Sequence, residues 1–394
     1  MNAPQTLSDA ISCLSDYDPN ALPVSQVREI VGRVIVPVEA IERVAIRSGL
    51  GRVLAQDLAS PIDVPSSDNS AMDGYAVRAA DLVSDRPTTL KLVGTALAGQ
   101  PFAGAVGPGE AVRVTTGAVM PTGLDTVVIQ EVATVDGDRL AVPGGQQRGQ
   151  HRRLRGEDLA RGKPALRAGK LLAPADLGLL ASLGFAEVAV RRRLRVAFFS
   201  TGDELRSVGE ALGPGEVYDS NRYTMYGMLT RLGVDVIDMG VIRDDPDALE
   251  RAVRTAAESA DAIVSSGGVS VGEADFTKQV MARLGDIAFW TIAMRPGRPM
   301  AFGRIGRTSY FGLPGNPVAV MITFYFFARD ALLRQMGAEA SPLPFVRARS
   351  LSAFRKRPGR TEYQRARLER DADGTMSVRS FGSQGSGVLR SMSQ

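Results

Sequence analysis

A chain of 394 residues, 44% apolar and 23% charged, has the length and composition to bury the cores of about two to four domains. One cysteine, Cys13, and one histidine, His151, exclude an internal disulfide, a cysteine-rich zinc site and a paired-histidine metal helix, so any chemistry must rest on carboxylates, hydroxyls, backbone amides and arginines. The net charge of +4 comes from the end of the chain, where 11 Lys and Arg face 4 Asp and Glu from Ser341 onward; the body is slightly acidic, which argues against nucleic acid as a partner.

The N-terminus lacks the basic start and apolar run of a signal peptide. The longest apolar stretch, Val318 to Ala328, is too short to span a bilayer, so the expected location is cytoplasmic, away from membranes. In chain order, the pattern predicts a helix over Ser25–Val34, alternation around Val44–Ile46 and a helical turn over Ser48–Leu54. Two prolines in Pro61–Pro65 mark a boundary. Leu90–Pro143, rich in β-branched residues and short glycine turns, reads as a compact β module, and Gly144–Gln150 as its exit linker. Leu177–Leu183 reads as a helix and Ala186–Val190 as a strand.

From Arg195 strands alternate with helices, the pattern of βαβ units and a mostly parallel sheet. Strands are predicted at Val196–Ser200, Val234–Met239, Ala262–Ser266, Ile287–Met294, Pro299–Ile305 and Tyr310–Leu313. Helices are predicted at Asn221–Leu232, Asp247–Glu258 and Thr277–Leu284. A long apolar helix then opens with Asn316 as N-cap and Pro317 at its first position. Beyond Met336 short strands return, with a hairpin at Asp371–Gly374 and a basic group, Arg355 to Arg357 with Arg360, Arg365 and Arg367, read as a solvated strand surface.

The chemistry gathers where these strands end. In an open parallel sheet, ligands bind beyond the carboxyl ends of the strands, and those ends carry Ser200-Thr201-Gly202-Asp203-Glu204, Asp244, Ser265 to Asp275, Arg295 with Arg298, and Pro314-Gly315-Asn316-Pro317. In Ser266-Gly267-Gly268-Val269-Ser270-Val271-Gly272, glycines permit positive φ and close backbone approach, so amides can converge on phosphate. Glu204, Asp244, Glu273 and Asp275 are hard oxygen ligands, with Glu204, Glu273 and Asp275 the candidates to hold Mg2+ or another divalent cation. Arg295 and Arg298 are fork-shaped donors for an oxyanion.

One further cluster, Ser67-Asp68-Asn69-Ser70-Ala71-Met72-Asp73-Gly74-Tyr75-Ala76, stands in the N-terminal half. Together with Arg113 to Ala118, Ser200 to Leu205, the glycine loop and Gly312 to Pro317, it makes the chain resemble the molybdopterin molybdenumtransferases, the bacterial MoeA group related to the C-terminal domain of gephyrin. The resemblance runs from about Ser25 to Ser393. It implies insertion of molybdate into the dithiolene of adenylylated molybdopterin with release of AMP. By motif it places functional positions on Asp68, Thr116, Asp158, Glu204, Asp244, Asp275 and Arg295, with Pro314 and Pro317 shaping the floor. It also implies a homodimer in which Asp68 serves the central domain of the other subunit, and contact with a molybdopterin adenylyltransferase and with acceptor apo-molybdoenzymes. The alternatives are an adenylyltransferase, which the central domain also resembles, and a gephyrin-like scaffold.

The expected architecture is a multidomain α/β chain: a discontinuous elongated linker domain over 1–60 and 144–190, a β-rich module over 61–143, a three-layer α/β molybdopterin-binding domain over 191–337 and a small C-terminal β-barrel domain over 338–394. Some positions depart from the family pattern. Thr291, Arg295 and Arg298 stand where relatives carry lysine, and His151-Arg152 replaces an Asn-Ile pair. The last domain is expected to be short of roughly two strands, leaving an unpaired edge.

Overall fold

The structure, a computed structural model, describes residues 6–12, 14, 17–269, 274–339, 342–356 and 358–393, with the side chains of 274–276 also outside the description. The chain forms two compact units. One comprises residues 1–55, 169–173 and 188–394; the other comprises 56–168 and 174–187.

The first unit is built on six strands: β1 (Arg195–Thr201), β2 (Asp235–Ile242), β3 (Ala262–Ser266), β4 (Asp286–Thr291), β5 (Pro299–Ile305) and β6 (Thr308–Leu313). Their order across the sheet is β2-β1-β3-β6-β5-β4. The first four are mutually parallel, and β5 runs antiparallel to both neighbours. The order reverses between β1 and β3, which makes the gap between their carboxyl ends the topological switch point.

Neighbouring side chains on these strands alternate between two apolar layers. Phe198, Val264 and Phe311 face one layer with helix α1 (Ser220–Leu232) and helix Val24–Val34. Phe199, Ile263 and Tyr310 face the other with α2 (Pro246–Ser259) and α3 (Ala274–Leu284). Strands buried on both faces must read as continuous apolar runs, which is why the sequence shows them so clearly. Asp219 caps α1 by accepting from Arg222 N at 3.0 Å, and Asp245 caps α2 by accepting from Ala248 N at 2.7 Å.

The apolar helix after β6 differs from its expected form. Pro317–Thr323 passes through a π-helical stretch, Phe324–Ala328, before Arg329–Gln335, and Asn316 occupies the N-cap position without a side-chain cap bond. Strand β4 stops at Thr291; Met294–Arg295 leaves the sheet and pairs with Thr361–Glu362. Ser48–Leu54 is not a helical turn: a 3-10 turn ends at Gly49, and Val53 and Leu54 form bridges to Leu171 and Val190. Near the end of the chain a small β module orders its strands as Arg349–Ser350, Met376–Ser380 and Ala366–Arg370.

The second unit carries another six-stranded sheet, ordered Thr126–Ile129, Gly74–Val77, Glu110–Val114, Thr88–Ala96, Arg139–Val142 and Thr134–Asp136. The β region therefore begins before Leu90. Gly74, within the cluster Ser67 to Ala76, starts an inner strand where a Cβ would stand 2.1 Å from the Val128 carbonyl oxygen.

Candidate functional site

At the switch point the ends of β1 and β3 approach more closely than side chains allow. A Cβ on Gly267 would meet the Thr201 carbonyl oxygen at 2.6 Å and Thr201 Oγ1 at 2.8 Å, and both Gly267 and Gly268 hold positive φ, +95° and +69°. Glycine alone fits here. Gly267 N donates to Leu313 O at 3.0 Å, and Gly315 stands against the Gly267 backbone, so the loops after β1, β3 and β6 form one floor. Asn221 in the first turn of α1 ties it together, its Nδ2 donating to Ser266 Oγ at 2.9 Å and Gly315 O at 2.6 Å.

Several polar atoms in this floor lack partners among the described residues. Ser200 Oγ, Thr201 Oγ1, Asn221 Oδ1 and Asp219 Oδ2 are enclosed and make no hydrogen bond to a described residue. Buried polar atoms are nearly always paired, so such a group of exceptions marks places for water or ligand. Glu204 is exposed beyond β1 and its carboxylate folds back over Gly202, where an added Cβ would meet Oε2 at 2.6 Å. Asp244 is exposed beyond β2, its backbone N–H donating to Asp203 Oδ1 at 3.3 Å. Pro314 is buried, Gly315 and Asn316 are exposed, and Pro317 starts the helix. Ser270, Gly272, Glu273 and the Asp275 side chain lie outside the described residues. Among the described residues no group of three or more His, Cys, Asp or Glu gathers as a metal site.

Arg295 and Arg298 are exposed at the same sheet edge, on the connection from β4 to β5. Tyr363 N donates to Arg295 O at 2.9 Å, which fastens the Arg295 segment to the C-terminal region. A cavity of about 210 Å3 opens there, with Arg295, Arg355, Glu362 and Gln384 in its wall. Next to it in sequence, Arg365 departs from the expected solvated surface. It is only 7% exposed and gives Nη2 to the carbonyls of Ser383 and Gly385, both at 3.0 Å. Its Nε and Nη1 have no partner among the described residues. Burial lowers its pKa, because a desolvated cation without a counter-ion is costly.

In the second unit, Asp68 sits among donors. Its Oδ2 accepts from Arg152 Nε at 3.0 Å and is also bonded by Arg152 Nη2, while Oδ1 accepts from Arg155 N at 2.7 Å. The Arg155 amide, with the Arg152 guanidinium behind it, holds the Asp68 carboxyl below the ordinary carboxylate range against an opposing push from burial. Thr116 is exposed and donates from N and Oγ1 to Asp73 Oδ1 at 2.7 and 2.9 Å, which lowers the Asp73 pKa. Asp158 is exposed, its backbone N–H bonded to Val64 O at 3.1 Å. Met120 N to Asp68 O, Ala71 N to His151 O and Gly156 N to Pro65 O then bring the loops bearing Asp68, Thr116 and Asp158 into one group. His151 makes its contact at φ 55°, in the left-handed region that few residues other than glycine adopt and where Asn, Asp and His are enriched.

Family patterns match along the chain: "MoeA N-terminal region (domain I and II)" over residues 22–184, "Probable molybdopterin binding domain" over 197–334 and "MoeA C-terminal region (domain IV)" over 347–394. A protein of Haemophilus influenzae named molybdopterin molybdenumtransferase is 42% identical over 347 residues, covering 88% of this chain and 85% of that protein. The chain belongs to the MoeA family.

A molybdopterin molybdenumtransferase of Nostoc is 40% identical over 310 residues, 76% of this chain and 71% of its own. The crystal structure of a molybdopterin biosynthesis moeA protein from Pyrococcus horikoshii superposes with a TM-score of 0.80 at 28% identity, covering 95% of this chain and 93% of that one. Within this MoeA architecture, sequence reasoning missed Asn221, Asp219 and Arg365. Asp219 and Asn221 carried only the signal of a helix start, and Arg365 was hidden inside a basic cluster. Among the described residues, no helix is long and apolar enough to cross a membrane.

Proposed function

We propose that this chain is a molybdopterin molybdenumtransferase that inserts molybdate into the dithiolene of adenylylated molybdopterin and releases AMP. The observation that carries this reading is the switch-point floor, where Gly267 and Gly268 lie against Thr201 with unpartnered hydroxyls around them. Such a floor presents backbone N–H and side-chain O–H donors to phosphate oxygens. Arg295 and Arg298, with the buried donors of Arg365 in the neighbouring C-terminal region, offer positive charge for a tetrahedral oxyanion such as molybdate.

Glu204 fits a hard divalent cation: it is an exposed carboxylate, unpaired among the described residues. With Asp275 and Glu273 it would hold Mg2+, which supplies charge neutralisation between phosphates. This chain's own residues orient the substrate. Ser200, Thr201, Gly202, Ser266 and the glycine loop bind its phosphates, and Pro314 to Pro317 close the floor beneath. We assign Asp68, Thr116 and Asp158 to the corresponding site of a second subunit in a cytoplasmic homodimer, which takes substrate from an adenylyltransferase and passes cofactor to apo-molybdoenzymes.

The test is incubation of purified protein with adenylylated molybdopterin, molybdate and Mg2+. AMP release should require both molybdate and the cation, and Asp275→Asn should reduce it by roughly two orders of magnitude, the scale of losing electrostatic stabilisation. Pyrophosphate formed from ATP and molybdopterin would instead establish the adenylyltransferase reading. Mixing Asp68→Ala with Asp275→Ala protein should restore part of the activity; no recovery after proven subunit exchange would refute the composite site.

A further inference from the structure

The two arginines assigned to the oxyanion have only their backbone to place them. Arg295 and Arg298 are exposed, and neither guanidinium has a partner among the described residues. Their position is therefore set by the path of residues 291–298, which leaves β4, the outermost strand of the central sheet. An outermost strand has one row of N–H and C=O groups without a neighbouring strand, so its end opens readily unless another segment supplies partners.

The N-terminal stretch Tyr17–Leu22 supplies them. Thr291 N donates to Pro19 O at 2.7 Å, Leu22 N to Thr291 O at 3.1 Å and Ala293 N to Leu22 O at 2.9 Å, which makes a parallel bridge between Leu22 and Ile292. Asp18 shapes the turn that presents these groups: its Oδ1 accepts from Asn20 N at 2.8 Å and its carbonyl from Ala21 N at 3.2 Å. The stretch is itself held down. Leu22 is buried in one apolar layer together with Leu7 and Ala10 of helix Leu7–Ser12, and the buried Trp290 donates from Nε1 to Tyr17 OH at 3.0 Å.

Bonds from the other side complete the clamp. Ile292 N donates to Arg298 O at 2.7 Å, which closes the connection on itself, and Thr361 N donates to Ala293 O at 2.8 Å. Ala293 is thus bonded through its N–H to the N-terminal stretch and through its carbonyl to the C-terminal region, two residues before Arg295.

We propose that Tyr17–Leu22 is a positioning strap for the oxyanion site, fixing the backbone from which Arg295 and Arg298 reach molybdate. The proposal rests on the insertion reading above and deepens it. The strap acts through the arginines and not on the substrate itself. Its effect falls on the molybdate end, because the phosphate floor is built on the loops after β1, β3 and β6 whereas the strap is bonded at the end of β4. A shift of about 1 Å in a positioned group is enough to matter, since it costs on the order of 100-fold in rate.

The test measures, in the full chain, the half-saturating concentrations of molybdate and of adenylylated molybdopterin for AMP release. Leu22→Pro removes the N–H that bonds Thr291 O and should raise the molybdate value about tenfold, while Tyr17→Phe combined with Asp18→Ala should raise it about threefold, the scale of lost hydrogen bonds. The value for adenylylated molybdopterin should stay within about twofold in both. Trp290, the only tryptophan in the chain, reports on the strap without turnover: in Leu22→Pro its emission should move to longer wavelength as water reaches the indole. The double variant, whose substituted positions are half-buried and exposed, carries the test should Leu22→Pro not fold. Wild-type molybdate dependence in both variants, or an equal loss for the two substrates, would overturn the strap and leave the insertion reading standing. A wild-type chain that released no AMP would remove that reading and the strap's role with it.

Discussion

The two ends of the central sheet are built from similar residues and treated in opposite ways. At the amino end, Asp261 accepts from Arg192 through both carboxylate oxygens at 3.0 and 2.9 Å and from Arg195 N at 2.8 Å, and its carbonyl accepts from Gln335 Nε2 at 2.8 Å. Thr308 Oγ1 bonds the carbonyls of Ala257 and Ala260 there, while Gln335 Oε1 has no partner among the described residues. At the carboxyl end, Ser200, Thr201, Asp219 and Asn221 all keep an enclosed oxygen without a partner among the described residues. Pairing at one end holds strands together. Withheld pairing at the other leaves capacity for a ligand, at a cost in stability that only function explains.

The largest break in this contrast should come from Gly267→Ala. The new Cβ would stand 2.6 Å from Thr201 O at a φ of +95°, so the β3 loop must move off β1. A displacement of about 1 Å in a positioned site costs on the order of 100-fold in rate. AMP release should fall by about that factor while circular dichroism keeps the wild-type spectrum. Near-normal turnover would mean the close approach serves packing alone.

Asp261→Ala attacks the opposite end. It leaves Arg192 without its carboxylate and Arg195 N without an acceptor, in a setting where both side chains are about a fifth exposed, 22% and 23%. The expected loss is about 2 kcal/mol in urea unfolding, with AMP release per folded molecule unchanged. Loss of activity without loss of stability would reverse the roles assigned to the two ends.

A third variant leaves the Ser265 hydroxyl unpaired inside the sheet. Ser265 Oγ and Tyr310 OH lie 2.7 Å apart, and burial pushes the Tyr310 phenol up to about 12 against the pull of that bond. Tyr310→Phe should cost about 1 kcal/mol. A folded pKa above the unfolded value of 10.0 means the stabilisation is complete below pH 10 and is lost as pH rises through about 12. Spectrophotometric titration should show one fewer late-ionising tyrosine in the variant; an identical curve would mean the phenol is not enclosed.

Much of this was legible because burial on both faces imposes a sequence pattern. Ala262–Ser266 matches its predicted range, and Arg195–Thr201 and Pro246–Ser259 differ from theirs only at the ends. The strand ends carrying Glu204, Asp244 and Arg295 were legible for the same reason. What remained hidden depends on partners distant in the chain. Arg365 reads as surface until the loop carrying Ser383 and Gly385 folds over it. Met294–Arg295 reads as the end of β4 until Thr361–Glu362 draws it out of the sheet. Asn221 reads as a helix start until Ser266 and Gly315 meet its amide. Local periodicity does not encode such returns.

The smallest expected effect concerns Asp68, whose carboxylate is paired like that of Asp261 although the residue is assigned to chemistry. The difference is exposure: the Asp68 side chain is 32% exposed and that of Arg152 26%, so water competes for the pair and it opens at little cost to a ligand. Arg155 N and Arg152 hold the Asp68 pKa below 3.8. A depressed carboxylate stabilises the fold above the unfolded value and loses that contribution as pH falls through the folded one. Acid unfolding followed from pH 5 to about 2 should therefore be shallower for Asp68→Asn than for the wild-type chain, with a loss near neutrality of only about 0.5–1 kcal/mol. Arg152→Ala should flatten the curve less, because the Arg155 amide is the stronger influence. A loss as large as that of Asp261→Ala would class Asp68 with the structural end of the comparison and remove the ground for assigning it to substrate.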